Sequence, residues 1–80
     1  MNLFEEIKEV ICEELVVEPA EITPETIFTN DLGANLLDLP GLVVALEEDY
    51  GIEIPKEDAQ KIKTVDDLVK YIQNKVDQFQ

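Results

Sequence analysis

The sequence predicts an all-α fold, a four-helix bundle with a long first connection and a short third helix, on three observations. Apolar residues recur at three- and four-residue spacing in three separate stretches. Each stretch opens on a capping signal or closes on a glycine. No segment of useful length alternates with period two, the mark of a half-buried strand. With 80 residues, no internal repeat and no low-complexity tract, the chain reads as a single domain over 1–80.

Asn2 and Glu5 form a capping pair, and Leu3, Ile7, Val10 and Ile11 carry an apolar stripe to Leu15, so the first helix spans about 3 to 15. From Val16 to Asn35 the periodicity dissolves into Pro19, Pro24, scattered acids and the anchors Ile22, Ile27, Phe28 and Leu32, a long loop pinned to the core. Thr23-Pro24-Glu25 offers that loop a short helical turn, with Thr23 as cap and Pro24 first in the helix, and Asp31-Leu32-Gly33 closes it. Leu39, Leu42, Val43, Leu46 and Tyr50 make the second helix, ended by Gly51. Ile52 and Ile54 straddle Glu53 in an extended piece, and Pro55 opens a brief third helix through Lys61, with Ala59 and Ile62 inward. Thr64 and Asp67 cap the last helix, where Val65, Leu68, Val69, Ile72 and Val76 run to near Asp77.

Composition excludes more than it suggests. Six lysines face 19 acids for a net charge of −13, and Ser, His, Arg and Trp are absent. Without His, and with Cys12 the only thiol, a four-ligand zinc site cannot be assembled, nor can a Ser-His or Cys-His nucleophile pair. Glu47 with Glu48, and Asp66 with Asp67, are sequence neighbours that point about 100° apart on a helix and cannot work as a pair. The chain is therefore not expected to be an enzyme. Its charge repels nucleic acid. No apolar run reaches membrane length, and MNLFEEIKEV lacks a secretory pattern, which points to the cytoplasm. Cys12 falls off the apolar stripe and is assigned no chemistry; Tyr50 and Tyr71 are assigned to packing.

The charge is uneven. Residues 1–25 hold eight acids and one lysine, residues 26–55 six acids and no base, and residues 56–80 five of each. Glu47, Glu48, Asp49 and Glu53 gather at the end of the second helix, where carboxylates oppose the helix dipole. Two readings stand: a solvated face, or an anionic surface that steers a basic partner. No D-x-[DN]-x-[DN]-G loop is present, so only loose divalent binding among the acids is plausible, and no metal site is assigned.

DLGA at Asp31 to Ala34, LVVALEEDYGIEIPKEDAQKI from Leu42 to Ile62, and TVDDLVKYI from Thr64 to Ile72 together resemble the acyl carrier proteins of fatty acid and polyketide synthesis, over nearly the whole chain. The resemblance implies an acyl-carrier-like four-helix bundle whose interior admits an acyl chain. It places Phe28, Leu42, Leu46, Ile54, Ala59, Ile62 and Leu68 at the acyl-pocket positions, residues that any core would also require. It places Asp31, Asp38, Glu47, Glu48 and Asp49 on the face that docks onto basic surfaces of acyl-carrier-dependent synthase enzymes, with Gly41 where an acid is usual.

In that family the cofactor 4′-phosphopantetheine is esterified to a serine in a DSL motif directly after DLGA. Here the stretch reads Asn35-Leu36-Leu37, and Leu36 at the serine position has no nucleophile; no serine exists in the chain and no threonine lies between Thr29 and Thr64. No cofactor is therefore expected on the sequence as written. Pro40 and Gly41 disturb the window further. An α-helix from Leu36 would set Pro40 against the Leu36 carbonyl at about 3 kcal/mol, so the second helix is expected to start later, with Asp38 as cap and Leu39 and Pro40 in its first turn.

Leu36 and Leu37 either fold onto the core, stay singly exposed, fill the mouth through which an acyl chain enters, or join Leu39 in a self-association contact of an otherwise monomeric protein. Two functional classes follow. One is a non-carrier, protein-binding member of the family; the other is a true acyl carrier of lipid biosynthesis whose serine has been replaced. Whether the Asn35–Gly41 window is natural or engineered is left open by one sequence.

Overall fold

The computed structural model describes residues 2–77. Five α-helices and two 3₁₀ turns follow in order: α1 (Leu3–Leu15), a 3₁₀ turn (Pro19–Glu21), α2 (Phe28–Asp31), a second 3₁₀ turn (Leu36–Asp38), α3 (Pro40–Tyr50), α4 (Lys56–Lys61) and α5 (Val65–Asp77). Among the described residues there is no strand, only an isolated antiparallel bridge between Ile27 and Thr64. The all-α expectation holds, with α1, α3, α4 and α5 as the four anticipated helices.

Helix ends follow local chemistry. The Asn2 side chain accepts a hydrogen bond from the Glu5 amide at 2.9 Å, while the Glu5 carboxylate pairs with Lys8 instead of reaching back. At α5 the exchange is reciprocal. Thr64 Oγ1 accepts from Asp67 N at 3.0 Å and Asp67 Oδ2 accepts from Thr64 N at 3.2 Å, satisfying donors the first turn leaves open. The stripes face one core: Ile7 and Ile11 from α1, Leu42 and Leu46 from α3, Val65, Leu68 and Ile72 from α5 are buried. Cys12, expected to turn away, is half-buried against that core, and burial pushes its thiol pKa up. It sits one residue beyond Ile11, and the margin of a stripe this wide still reaches α1's neighbours.

α1 ends on Val16, which is left-handed at φ 54° and 90% exposed. A β-branched residue there carries strain of roughly 1–2 kcal/mol, and glycine removes it while freeing the unfolded chain by roughly 0.5–1 kcal/mol. Val16→Gly should therefore stabilise by roughly 0.5–1 kcal/mol, seen as a raised urea midpoint at unchanged slope. A lowered midpoint would show the strain is absent.

The first connection departs from expectation. Thr23 to Thr26 form a hydrogen-bonded turn, Thr26 N to Thr23 O at 3.1 Å, and no helix begins there. The Thr26 hydroxyl, buried at 5% exposure, accepts from Thr23 N at 2.8 Å and donates to Glu21 O at 3.1 Å, which competes with a helical path. Helical turns form on either side instead, at Pro19–Glu21 and Phe28–Asp31. Three backbone bonds pin the loop to the start of α5: Phe28 N to Lys63 O at 3.0 Å, Val65 N to Thr26 O at 2.9 Å and Asp66 N to Pro24 O at 2.9 Å. Of the anchors, Ile22 and Phe28 are buried, Ile27 and Leu32 half-buried.

Candidate functional site

The site is built around the second 3₁₀ turn. Asn35 Oδ1 accepts from Asp38 N at 3.1 Å, and Asp38 N and Leu39 N reach back to the Asn35 and Leu36 carbonyls at 3.0 Å each. The turn stops because Pro40 follows: Leu39 sits at φ −119° and ψ 65°, outside the helical region, as a residue before proline must. α3 then starts at Pro40, later than Leu36 as anticipated. Its cap is Leu39 and not Asp38, because Asn35 has already drawn Asp38 into the 3₁₀ turn.

Leu36 is wholly buried, at 0% exposure, and the turn packs against both α3 and α4. Of the fates open to it, exposure and a self-association contact through its side chain are the two this geometry does not provide. Leu37 and Leu39 are half-buried. Leu36 belongs to the same apolar cluster as Phe28, Leu42, Leu46, Ile54, Ala59, Ile62 and Leu68, so the residues assigned to the acyl pocket are brought together and the chain's own leucine lies among them. Outside the turn runs an apolar groove of about 170 Å³, lined by Leu37, Pro40, Val43, Val44, Ile54, Lys56 and Ala59. Sequence reasoning passed over Val44, half exposed on the solvent face of α3 between exposed Pro40, Gly41 and Glu48; its place one residue after Val43, off the apolar stripe, was the available signal.

The five acids of the expected docking face divide by role. Asp38, Glu48 and Asp49 are exposed. Asp31 is exposed but caps α2, its Oδ2 accepting from Ile27 N at 2.8 Å. Glu47 is half-buried, and its Oε2 accepts from the amide of buried Ile54 at 2.7 Å, fixing the chain between α3 and α4. At Gly41 a Cβ would stand 3.3 Å from Glu14 Oε1 of α1, so a carboxylate lies over the gap that an acid at position 41 would have filled. The first turn of α3 holds no acid of its own, and charge from Glu14 complements the positive end of that helix.

Two phenols brace the bundle. Tyr50 donates to Glu6 Oε1 at 3.3 Å, and burial, reinforced by the Glu6 charge, pushes its pKa up to about 12. Tyr71 donates to Asp58 Oδ2 at 2.6 Å, tying α5 to α4, and burial and then this bond raise its pKa further. A phenol whose folded value exceeds about 10 gives its full stabilisation below pH 10, and that stabilisation is lost as pH rises through the folded value. Phenolate absorbance of the native protein should develop with midpoints above about 10 and return to it in denaturant, with stability falling over the same interval. Native midpoints at the unfolded value would contradict both hydrogen bonds.

The model of the phosphopantetheine attachment site family matches residues 5–72. Acyl carrier proteins of Helicobacter pylori strains G27 and HPAG1 are each 54% identical over 74 residues, covering 92% of this chain and 95% of each relative. The chain belongs to the acyl carrier protein family. Acyl carrier proteins are carriers and not enzymes, and they interact with synthase enzymes, in line with the absence of a nucleophile-base pair noted in the sequence. Among the described residues no helix is long and apolar enough to cross a membrane. The matched span includes the whole Asn35–Gly41 window, so this acyl carrier family member aligns through a stretch in which it has no serine.

Proposed function

We propose that this chain is an acyl-carrier-type binding module without a loading point. It keeps the bundle and an acidic face for basic surfaces of synthase enzymes of fatty acid or polyketide synthesis, carries no 4′-phosphopantetheine, and works in the cytoplasm. The observation that carries the reading is Leu36: it stands where the family's DSL motif has serine, and it is wholly buried. An attachment serine must present its hydroxyl to a transferase, whereas this side chain is part of the core. Asp38, Glu48 and Asp49 remain exposed for docking, and association through them should weaken as salt rises.

The second reading, a true acyl carrier of lipid biosynthesis with its serine replaced, draws support from the 54% identity to proteins that bear the carrier's name. Intact mass after incubation with coenzyme A and a broad-specificity phosphopantetheinyl transferase separates the two. The unaltered chain should gain no mass; a gain would overturn the proposal. If Leu36→Ser alone gains the arm, the scaffold is a carrier whose loading residue was replaced. If it does not, Asn35, Pro40 and Gly41 have removed the recognition window as well, as the binding-module reading expects.

A further inference from the structure

We infer that residues 34–38 form a flap over the core, hinged at Gly33 and at the Leu39–Pro40 joint, and that the buried Leu36 side chain is the bolt that holds it shut. Two of the three backbone ties of this segment are internal: Asp38 N to Asn35 O and Leu39 N to Leu36 O, both at 3.0 Å. Among the described residues a single backbone bond from it reaches another element, Ala34 N to Phe28 O at 3.3 Å. The preceding loop, by contrast, is held to the start of α5 by three backbone bonds.

Both ends of the flap can turn. Gly33 has φ 83°, with nothing within 4 Å of where a Cβ would stand, and Leu39 lies between the 3₁₀ turn and α3 in neither helical conformation. Lifting the flap exchanges one backbone hydrogen bond, Ala34 N to Phe28 O, for bonds to water, which is nearly neutral, so exposure of Leu36 is the dominant penalty. The outer edge of the flap already borders the apolar groove through Leu37, and Ile54 and Ala59 belong to both the groove and the core. Opening therefore extends the groove inward. Position 36 of this chain is buried while the flap is shut, so a reagent or enzyme that modifies a side chain placed there must capture the open state.

Two measurements test the flap without coenzyme A or a transferase, so the carrier reading can fail while the flap stands, and the reverse. In the unaltered chain, hydrogen exchange of the Ala34 amide, which ties the flap to Phe28 O, should proceed through a local opening that is insensitive to low denaturant, whereas amides of Ile11 and Leu68 exchange through global unfolding. Exchange of Ala34 only by global unfolding, or with no protection at all, overturns the inference. In a Cys12→Ala background, the thiol of a Leu36→Cys variant should react with an aromatic disulfide reagent about tenfold or more slowly than that of Leu37→Cys, and faster than global unfolding allows. Equal rates for the two thiols overturn it.

Discussion

Truncating Leu36 to alanine should lower stability by about 3 kcal/mol and the melting temperature by roughly 12–24 °C. The side chain has 0% exposure and belongs to the apolar cluster shared by α3, α4 and α5. Removing it forfeits the transfer free energy of the buried methyl groups and leaves a cavity that neighbours fill only in part. A leucine at a solvent-facing helix start would lose within about 0.5 kcal/mol on the same change. Leu36→Met, which conserves volume, should lose less than about 1.5 kcal/mol. Urea unfolding of the three proteins at one ionic strength decides it, since a net charge of −13 makes stability depend on salt as well. A change in Leu36→Ala no larger than in an exposed position would place the residue outside the core. The consequence for function is direct. Leu36→Ser loses at least as much as Leu36→Ala and adds a hydroxyl to apolar surroundings, so loading assays on it belong well below its lowered melting temperature.

α1 and α5 were legible in the sequence to the residue because stripe and cap coincide: Asn2 and Thr64 each stand immediately before the first apolar position of a continuous stripe. The later start of α3 was legible as well, since proline's missing donor and ring forbid an α-helix from Leu36. Its cap was not, because Asn35 forms a 3₁₀ turn of its own, and two adjacent capping signals compete for Asp38. The first connection stayed illegible because its shape is set at long range, by bonds from residues 24–28 to residues 63–66, and by the Thr26 hydroxyl. The inward facing of Leu36 was one of several fates the sequence left open, since in a short 3₁₀ turn no periodicity tells which side chain points to the core. Asp31 and Glu47 were read as surface charge; Asp31 accepts from the Ile27 amide four residues back, at the start of the short α2 that the sequence did not show, and Glu47 accepts from the Ile54 amide brought to it by the turn after α3.

Reversing charge at Glu47 and at Glu48 should give different results although the residues are adjacent and equally acidic. Glu48 is exposed and no described ion pair engages it, so Glu48→Lys should change stability by no more than about 0.5 kcal/mol, and the helix C-terminus even favours the new cation. Glu47 accepts from Ile54 N at 2.7 Å, and Ile54 is only 6% exposed. A lysine cannot accept that bond, and an amide left bare in this setting costs about 1–3 kcal/mol. Allowing for the dipole gain, Glu47→Lys should lose about 1–2 kcal/mol. Both reversals should weaken association with a basic-surfaced synthase by about fivefold at low salt, and the difference should shrink as salt is added. Glu47→Gln keeps an acceptor for Ile54 and removes only charge. If docking reads the charge of this face, Glu47→Gln and Glu48→Lys both weaken binding at near-native stability; if affinity instead follows stability, only Glu47→Lys weakens it, and the acidic end of α3 is a solvated surface with one structural carboxylate.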